Sequence, residues 1–110
     1  AMSEQNLRLT PNQEVILAAL RFHKRYGLEI LAAIEKSGGK QIGFNSLYPN
    51  LKKLEKKGFV TSEWGDEAPE EHTGARRKYY RINGAGIKAL EAKQQLLTRV
   101  AQWMPEPKGG

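Results

Sequence analysis

The stretch Asn45-Ser46-Leu47-Tyr48-Pro49-Asn50-Leu51-Lys52-Lys53-Leu54-Glu55-Lys56-Lys57-Gly58 decides how the chain is read. Leu47, Leu51 and Leu54 recur at i, i+4 and i+7, so a helix gathers them on one side, and Gly58 supplies its stop. At about 100° per residue the opposite side carries Ser46, Pro49, Lys52, Lys53 and Lys56, with Asn50 and Lys57 at its margin. Pro49 suits only a first turn, which puts the expected start near Asn45 or Ser46. Leucines inward and short polar groups with cations outward is the division a helix needs to enter a DNA major groove, its free N-terminal amides facing phosphate. An ordinary amphipathic surface helix with solubilising lysines shows the same division, so the flanking elements have to decide.

Upstream, Thr10-Pro11 with Gln13 has the form of a capping box with proline at N1. The run Val15, Ile16, Leu17, Ala18, Ala19, Leu20 and Phe22 predicts a helix buried on nearly every side, ended by His23, Lys24 and Arg25, with Tyr26-Gly27 as a turn. A second helix is expected over about 28–37, with Leu28, Leu31 and Ile34 as its inner stripe and Gly38-Gly39 as its exit. Downstream, FVTSEW (59–64) and RRKYYRI (76–82) read as the strands of a two-stranded hairpin with a long tip over 65–75, and alternation puts Arg77, Tyr79 and Arg81 on one face. Asn83 can cap a last helix over about 84–103, after which Pro105, Pro107 and Gly109-Gly110 stop regular structure. Three helices, a basic hairpin and a fourth helix give a mainly α fold with a small β-hairpin wing: a winged helix-turn-helix plus a C-terminal dimerisation helix. The expected division is a flexible N-terminal arm (1–9), a DNA-binding domain (10–82), a dimerisation helix (83–104) and a disordered tail (105–110).

Composition narrows the function. The 110 residues carry 18 Lys/Arg against 12 Asp/Glu, a formal charge of +6 that favours polyanionic partners. With no cysteine there is no disulfide framework, thiolate zinc site or cysteine nucleophile, and the longest apolar run, at 15–20, is far too short to span a membrane. A cytoplasmic protein without a membrane partner is expected. Arg76, Arg77, Lys78 and Arg81, interleaved with Tyr79 and Tyr80, suit a wing that grips phosphates, although charged edge strands also serve to block aggregation. Against phosphate stand Glu63, Asp66, Glu67, Glu70 and Glu71 at the hairpin tip, which must bend away, pair within the domain or meet another partner. The last option defines an alternative function, a winged-helix protein-interaction module whose acidic tip contacts a protein. Glu70, Glu71 and His72 are adjacent rather than convergent, His23 reads as a capping or surface residue, and no catalytic set, nucleotide loop or cofactor motif is present, so neither an enzyme nor a metal site is expected.

The last helix carries two apolar stripes. One runs through Ile87, Leu90, Gln94, Leu97, Ala101 and Met104, the other through Leu96, Val100 and Trp103. One can pack on the domain and the other on a second copy, giving a two-fold homodimer, which a domain of this size with its thin core would favour.

Tyr26-Gly27-Leu28-Glu29-Ile30, Ser46-Leu47-Tyr48-Pro49 leading to Leu51 and Leu54-Glu55, Gly58-Phe59-Val60, Trp64, and Arg76-Arg77-Lys78-Tyr79-Tyr80-Arg81-Ile82 with Gly86 together resemble the PadR family of bacterial transcriptional regulators. The resemblance covers roughly residues 14–90 and suits the smaller branch with a single C-terminal helix. It implies a winged-helix dimer, usually a repressor, that binds a palindromic operator in double-stranded DNA and is released by a small aromatic or drug-like effector. Carried onto this chain, it implies a recognition helix over 45–57 with Ser46, Tyr48, Pro49 and Lys53 nearest the groove, and wing contacts at Arg76, Arg77 and Lys78. Asn45 replaces a common glycine and fits an N-cap, completing a DNA-binding set of Asn45, Ser46, Tyr48, Pro49, Asn50, Lys52, Lys53, Arg76, Arg77 and Lys78. Tyr48 lies beside the buried stripe, so its ring can pack inside while its hydroxyl reaches a phosphate. In a drug-sensing branch a last-helix tryptophan stacks flat effectors at the dimer interface; here Leu97 aligns with it and Trp103 comes almost two turns later. Leu97 and Trp103 are thus the candidate effector pocket, with a tryptophan packed at the seam or against the first helix as the other reading.

Overall fold

Thr10 opens the first helix with a complete capping box. In the computed structural model, which describes residues 8–66 and 76–107, the Gln13 N–H donates to Thr10 Oγ1 at 3.2 Å and the Thr10 N–H to Gln13 Oε1 at 3.1 Å. This helix, α1 (Pro11–Ala19), stops four residues before His23. Its end tightens into i→i+3 bonds, Leu20 N–H to Leu17 O at 3.0 Å and Arg21 N–H to Ala18 O at 3.1 Å. Arg25 Nε then folds back onto the Ala19 carbonyl at 2.6 Å, which caps the helix and turns the chain out of it.

That reversal corrects two expectations. His23 lies in the loop rather than at a helix end, and Tyr26 belongs to a strand, β1 (Arg25–Tyr26), rather than a turn. β1 pairs antiparallel with β3 (Lys78–Ile82) through Arg25↔Tyr80 and Tyr26↔Tyr79, while β2 (Val60–Trp64) pairs with β3 from Val60↔Ile82 to Trp64↔Lys78. The sheet is therefore three-stranded in the order β1-β3-β2, not a two-stranded hairpin, and β3 is its centre rather than an edge. A two-residue strand carries no alternation to be read from sequence.

α2 (Gly27–Lys36) buries Gly27, Ile30 and Ile34, whereas Leu28 is 60% exposed. Leu28 stands about 130° round the helix from the centre of that arc, so the buried arc lies about 70° from the expected Leu28-Leu31-Ile34 stripe. α3 (Phe44–Lys56) buries Leu47, Leu51 and Leu54 as read, and Gly58 follows at φ 78°. Its start differs: Gly43 is the N-cap instead of Asn45, and Pro49 sits in the second turn. There the proline costs the Asn45 carbonyl its helical donor, a loss more easily borne on an exposed face, where Pro49 lies.

Asn83 caps α4 (Gly84–Gln102) by accepting from the Gly86 N–H at 3.0 Å. Ala89 is buried, Ile87 and Leu90 pack against the protomer's own core, and Arg21–Glu91 (3.8 Å) and Glu14–Lys93 (3.4 Å) tie the helix to α1. From Gln94 to Pro107 every residue is exposed. The helix thus leaves the body as a rod, raising the radius of gyration to 17.6 Å, against about 13 Å for a compact domain of this length.

α1 is not buried all round. Ile16, Leu17 and Leu20 enter the core, but Phe22 is 79% exposed, and with Val15, Ala18, Ala19, His23 and Ala33 it lines a groove of about 370 Å³ between α1 and α2. Among the described residues no helix is long and apolar enough to cross a membrane, and no group of acids and histidines could hold a metal. The arm at 1–7, the tip residues Glu67, Glu70, Glu71 and His72, and the tail at 108–110 lie outside the described residues. Leu9 packs against the core, and the Arg8 carbonyl accepts from Lys57 Nζ at 2.9 Å.

Candidate nucleic-acid interface

The leucine stripe of α3 docks the helix on the core and leaves Asn45, Tyr48, Pro49, Lys52 and Lys53 exposed on its outer side. Lys52 and Lys53 make no ion pair among the described residues. Ser46 and Asn50 are half-buried, and Asn50 Nδ2 donates to the Ser46 carbonyl at 2.9 Å, so this amide is folded onto its own helix. Tyr48 stacks on Phe44, with ring centroids 5.7 Å apart and planes at 9°. Its hydroxyl reaches the start of α2, where a Cβ on Gly27 would overlap it. A phenol beside free helix N-terminal amides can meet one phosphate oxygen together with them. A helix start near Asn45 or Ser46 excludes Phe44, so its stack on Tyr48 is not visible in the sequence.

The wing is anchored by aromatic contacts on the face carrying Arg77, Tyr79 and Arg81. Tyr26 of β1 meets Tyr79 edge-on at 5.4 Å, the Arg77 guanidinium lies 4.6 Å from the Tyr26 ring, and Lys24 Nζ lies 5.5 Å from Tyr79. Arg76 and Lys78 are exposed. One of the acids expected to oppose phosphate is satisfied within the domain: Glu63 Oε1 lies 3.2 Å from Arg81 Nη2 and 3.6 Å from Lys24 Nζ. The Arg81 hydrogen bond, then the Lys24 charge, holds the Glu63 carboxyl below the usual carboxylate range. On the opposite face Ser62 Oγ donates to Glu55 Oε2 at 2.9 Å, and burial, then the Glu55 charge, pushes the Tyr80 phenol up, so Tyr80 stays neutral at physiological pH.

A depressed carboxyl stabilises the fold above the unfolded group's titration range and loses that contribution as pH falls through the folded-state value. Glu63→Gln is therefore expected to lower the melting temperature slightly at pH 7 and to match the wild type once the pH has fallen below the depressed titration range of Glu63. A gap that persists unchanged at low pH would rule out the ionic contact as its cause.

Two side-chain groups proposed from sequence do not come together within the protomer. Ile87 and Leu90 face the domain, whereas Leu97, Val100, Ala101 and Met104 project from the free end of α4. Trp103 is 71% exposed and does not pack on α1. Within the protomer Leu97 and Trp103 are both exposed to solvent, and a groove lies elsewhere, between α1 and α2.

A leucine-anchored helix with bare lysines, preceded by a short helix whose N-terminus abuts it and flanked by a basic wing, defines a winged-helix DNA-binding protein. The model of the Transcriptional regulator PadR-like family matches residues 16–92. The chain belongs to that family, whose members are transcriptional regulators and not enzymes. A PadR family transcription regulator from hypervirulent Clostridium difficile is 28% identical with a TM-score of 0.67, the match covering 82% of this chain and 90% of that one. A transcriptional regulator from Clostridium thermocellum is 32% identical, TM-score 0.63, covering 81% and 86%. Bacillus subtilis PadR in complex with operator DNA, at 23% identity, TM-score 0.60 and coverage of 92% and 54%, shares the fold. No curated protein matches the sequence closely enough to be reported as a relative.

Proposed function

We propose that this regulator is a homodimeric repressor that binds a palindromic operator, with Lys52, Lys53 and the turn from Ser46 to Pro49 at the major groove and Arg76, Arg77 and Lys78 on the backbone. One observation carries the reading. Arg21, Lys24, Arg81 and Lys93 each have a carboxylate partner, whereas Lys52 and Lys53 on the outer side of α3 have none among the described residues. Cations left without carboxylate partners on the outer side of a core-anchored helix are what a polyanion requires. The dimer rests on the free half of α4, where Leu96, Leu97, Val100, Trp103 and Met104 are exposed together and a second copy would cover them. Two protomers joined there would also bring Leu97 and Trp103 of both chains to one seam, where a flat aromatic effector could stack and release the DNA.

The test is fluorescence anisotropy on duplex DNA from upstream of the protein's own gene and on a scrambled duplex, over a salt series. The expected preference is about 10³ or more near physiological salt. Lys53→Glu is expected to abolish that preference, whereas reversing Glu70 and Glu71 to lysine should not weaken binding. The opposite order would favour the protein-interaction module. Weak binding equal on both duplexes and lost with salt would reduce the basic face to a general attraction for polyanions.

A further inference from the structure

Trp64 ends β2 with 61% of its surface exposed, outside the hydrophobic core. Register sets it opposite Lys78, and alternation puts both on the sheet face that carries Val60, Ser62, Tyr80 and Ile82. That face is turned toward α3, because Ser62 bonds Glu55 and Tyr80 is buried beside Glu55 and Tyr48. Trp64 and Lys78 therefore stand one cross-strand step farther along the wing than Ser62 and Tyr80, where the sheet has outrun the core.

Lys78 Nζ lies 5.7 Å from the Trp64 ring centroid and 5.9 Å from that of Tyr80, with no carboxylate partner among the described residues. Glu63, the neighbouring acid, turns to the other face and is engaged by Lys24 and Arg81. An ammonium held by rings is oriented without being neutralised, so its charge remains available to an anion. A lysine already fixed in this way also loses less side-chain entropy when it meets that anion.

We propose that Trp64 and Lys78 act as one backbone-binding unit of the wing, in which the indole fixes the ammonium that meets a DNA phosphate and packs its own free face on the adjoining deoxyribose. The unit rests on the DNA-binding reading above and adds an aromatic residue to it. It reads no base, so its contribution is the same on operator and scrambled duplexes.

The chain has two tryptophans, so the full-length protein labelled with 5-fluorotryptophan gives two ¹⁹F signals, and Trp64→Phe identifies which belongs to Trp64. On adding operator duplex, the Trp64 signal is expected to shift and to lose its sensitivity to solvent isotope. Trp64→Ala should weaken binding about 5-fold on both duplexes with an unchanged salt slope, the size of a single exposed cation–π contact with its packing. Trp64→Phe should recover most of that loss. Lys78→Ala should reduce the slope by about 0.9, and Trp64→Ala should then add little. Circular dichroism checks that each variant is folded, and the ¹⁹F shift needs no change at Trp64 beyond the label. DNA bound at full anisotropy with the Trp64 signal unmoved and Trp64→Ala at wild-type affinity would overturn the proposal while leaving the DNA reading intact. If the wild type binds neither duplex at any salt, both fall.

Discussion

Leu97→Glu is expected to turn a dimer into monomers in sedimentation velocity and to cut operator affinity by about 10²-fold or more. In the protomer Leu97 sits on the free half of α4 among Leu96, Val100 and Met104, all exposed. A two-fold seam would place the new carboxylate and its symmetry mate in one apolar contact, and an unpaired charge there costs several kcal/mol, roughly. Separate monomers lose the effective concentration that lets the second half-site bind almost without further entropy cost, which is where the affinity goes. The domain itself should keep its circular dichroism, because Leu97 touches none of the core. An unchanged dimer would remove this part of α4 from the interface and reopen the question of what covers it.

Gly86→Ala should lower the melting temperature by about 10 °C or more, an expectation that depends only on the protomer. A Cβ on Gly86 would overlap the Phe59 carbonyl oxygen and stand 2.8 Å from Ile82 Cγ1. That carbonyl already accepts from the Asn83 N–H at 3.0 Å, while the Asn83 side chain donates to Gly58 O at 2.5 Å and caps Gly86. Moving α4 away therefore strains its cap and its contact with the wing together, a cost of about 2–3 kcal/mol. Gly84→Ala is the control: nothing lies near its Cβ, so the melting temperature should hold or rise slightly. Equal melting temperatures for the two variants would show that the α4 junction accommodates the methyl.

Much of the fold was legible because its signals are local. The Thr10 capping box, the Asn83 cap, the positive-φ glycines at 38 and 58 and the Leu47-Leu51-Leu54 stripe are each contained within a turn or two of chain. The residue types at the candidate interface, lysines on α3 and arginines on the wing, were readable in the same way. The end of α1 was not, since it depends on Arg25 reaching back to Ala19 and on β1 finding Tyr79 and Tyr80 far along the chain. Nor could periodicity decide that Leu28 faces outward, that Ile87 and Leu90 serve the core while Leu97 leaves it, or that Tyr48 stacks on Phe44.

By itself, then, the sequence determined the approximate helices, the Thr10 and Asn83 caps, the two long wing strands and the kind of charge each surface carries, because backbone hydrogen bonding and side-chain periodicity act over three or four residues. Only the tertiary structure decided which cations are spent on carboxylates and which, like Lys52 and Lys53 on α3, have no such partner among the described residues. Pairing of that kind joins Lys24 and Arg81 to Glu63, Arg21 to Glu91 and Lys93 to Glu14, contacts made by residues that no local pattern brings together.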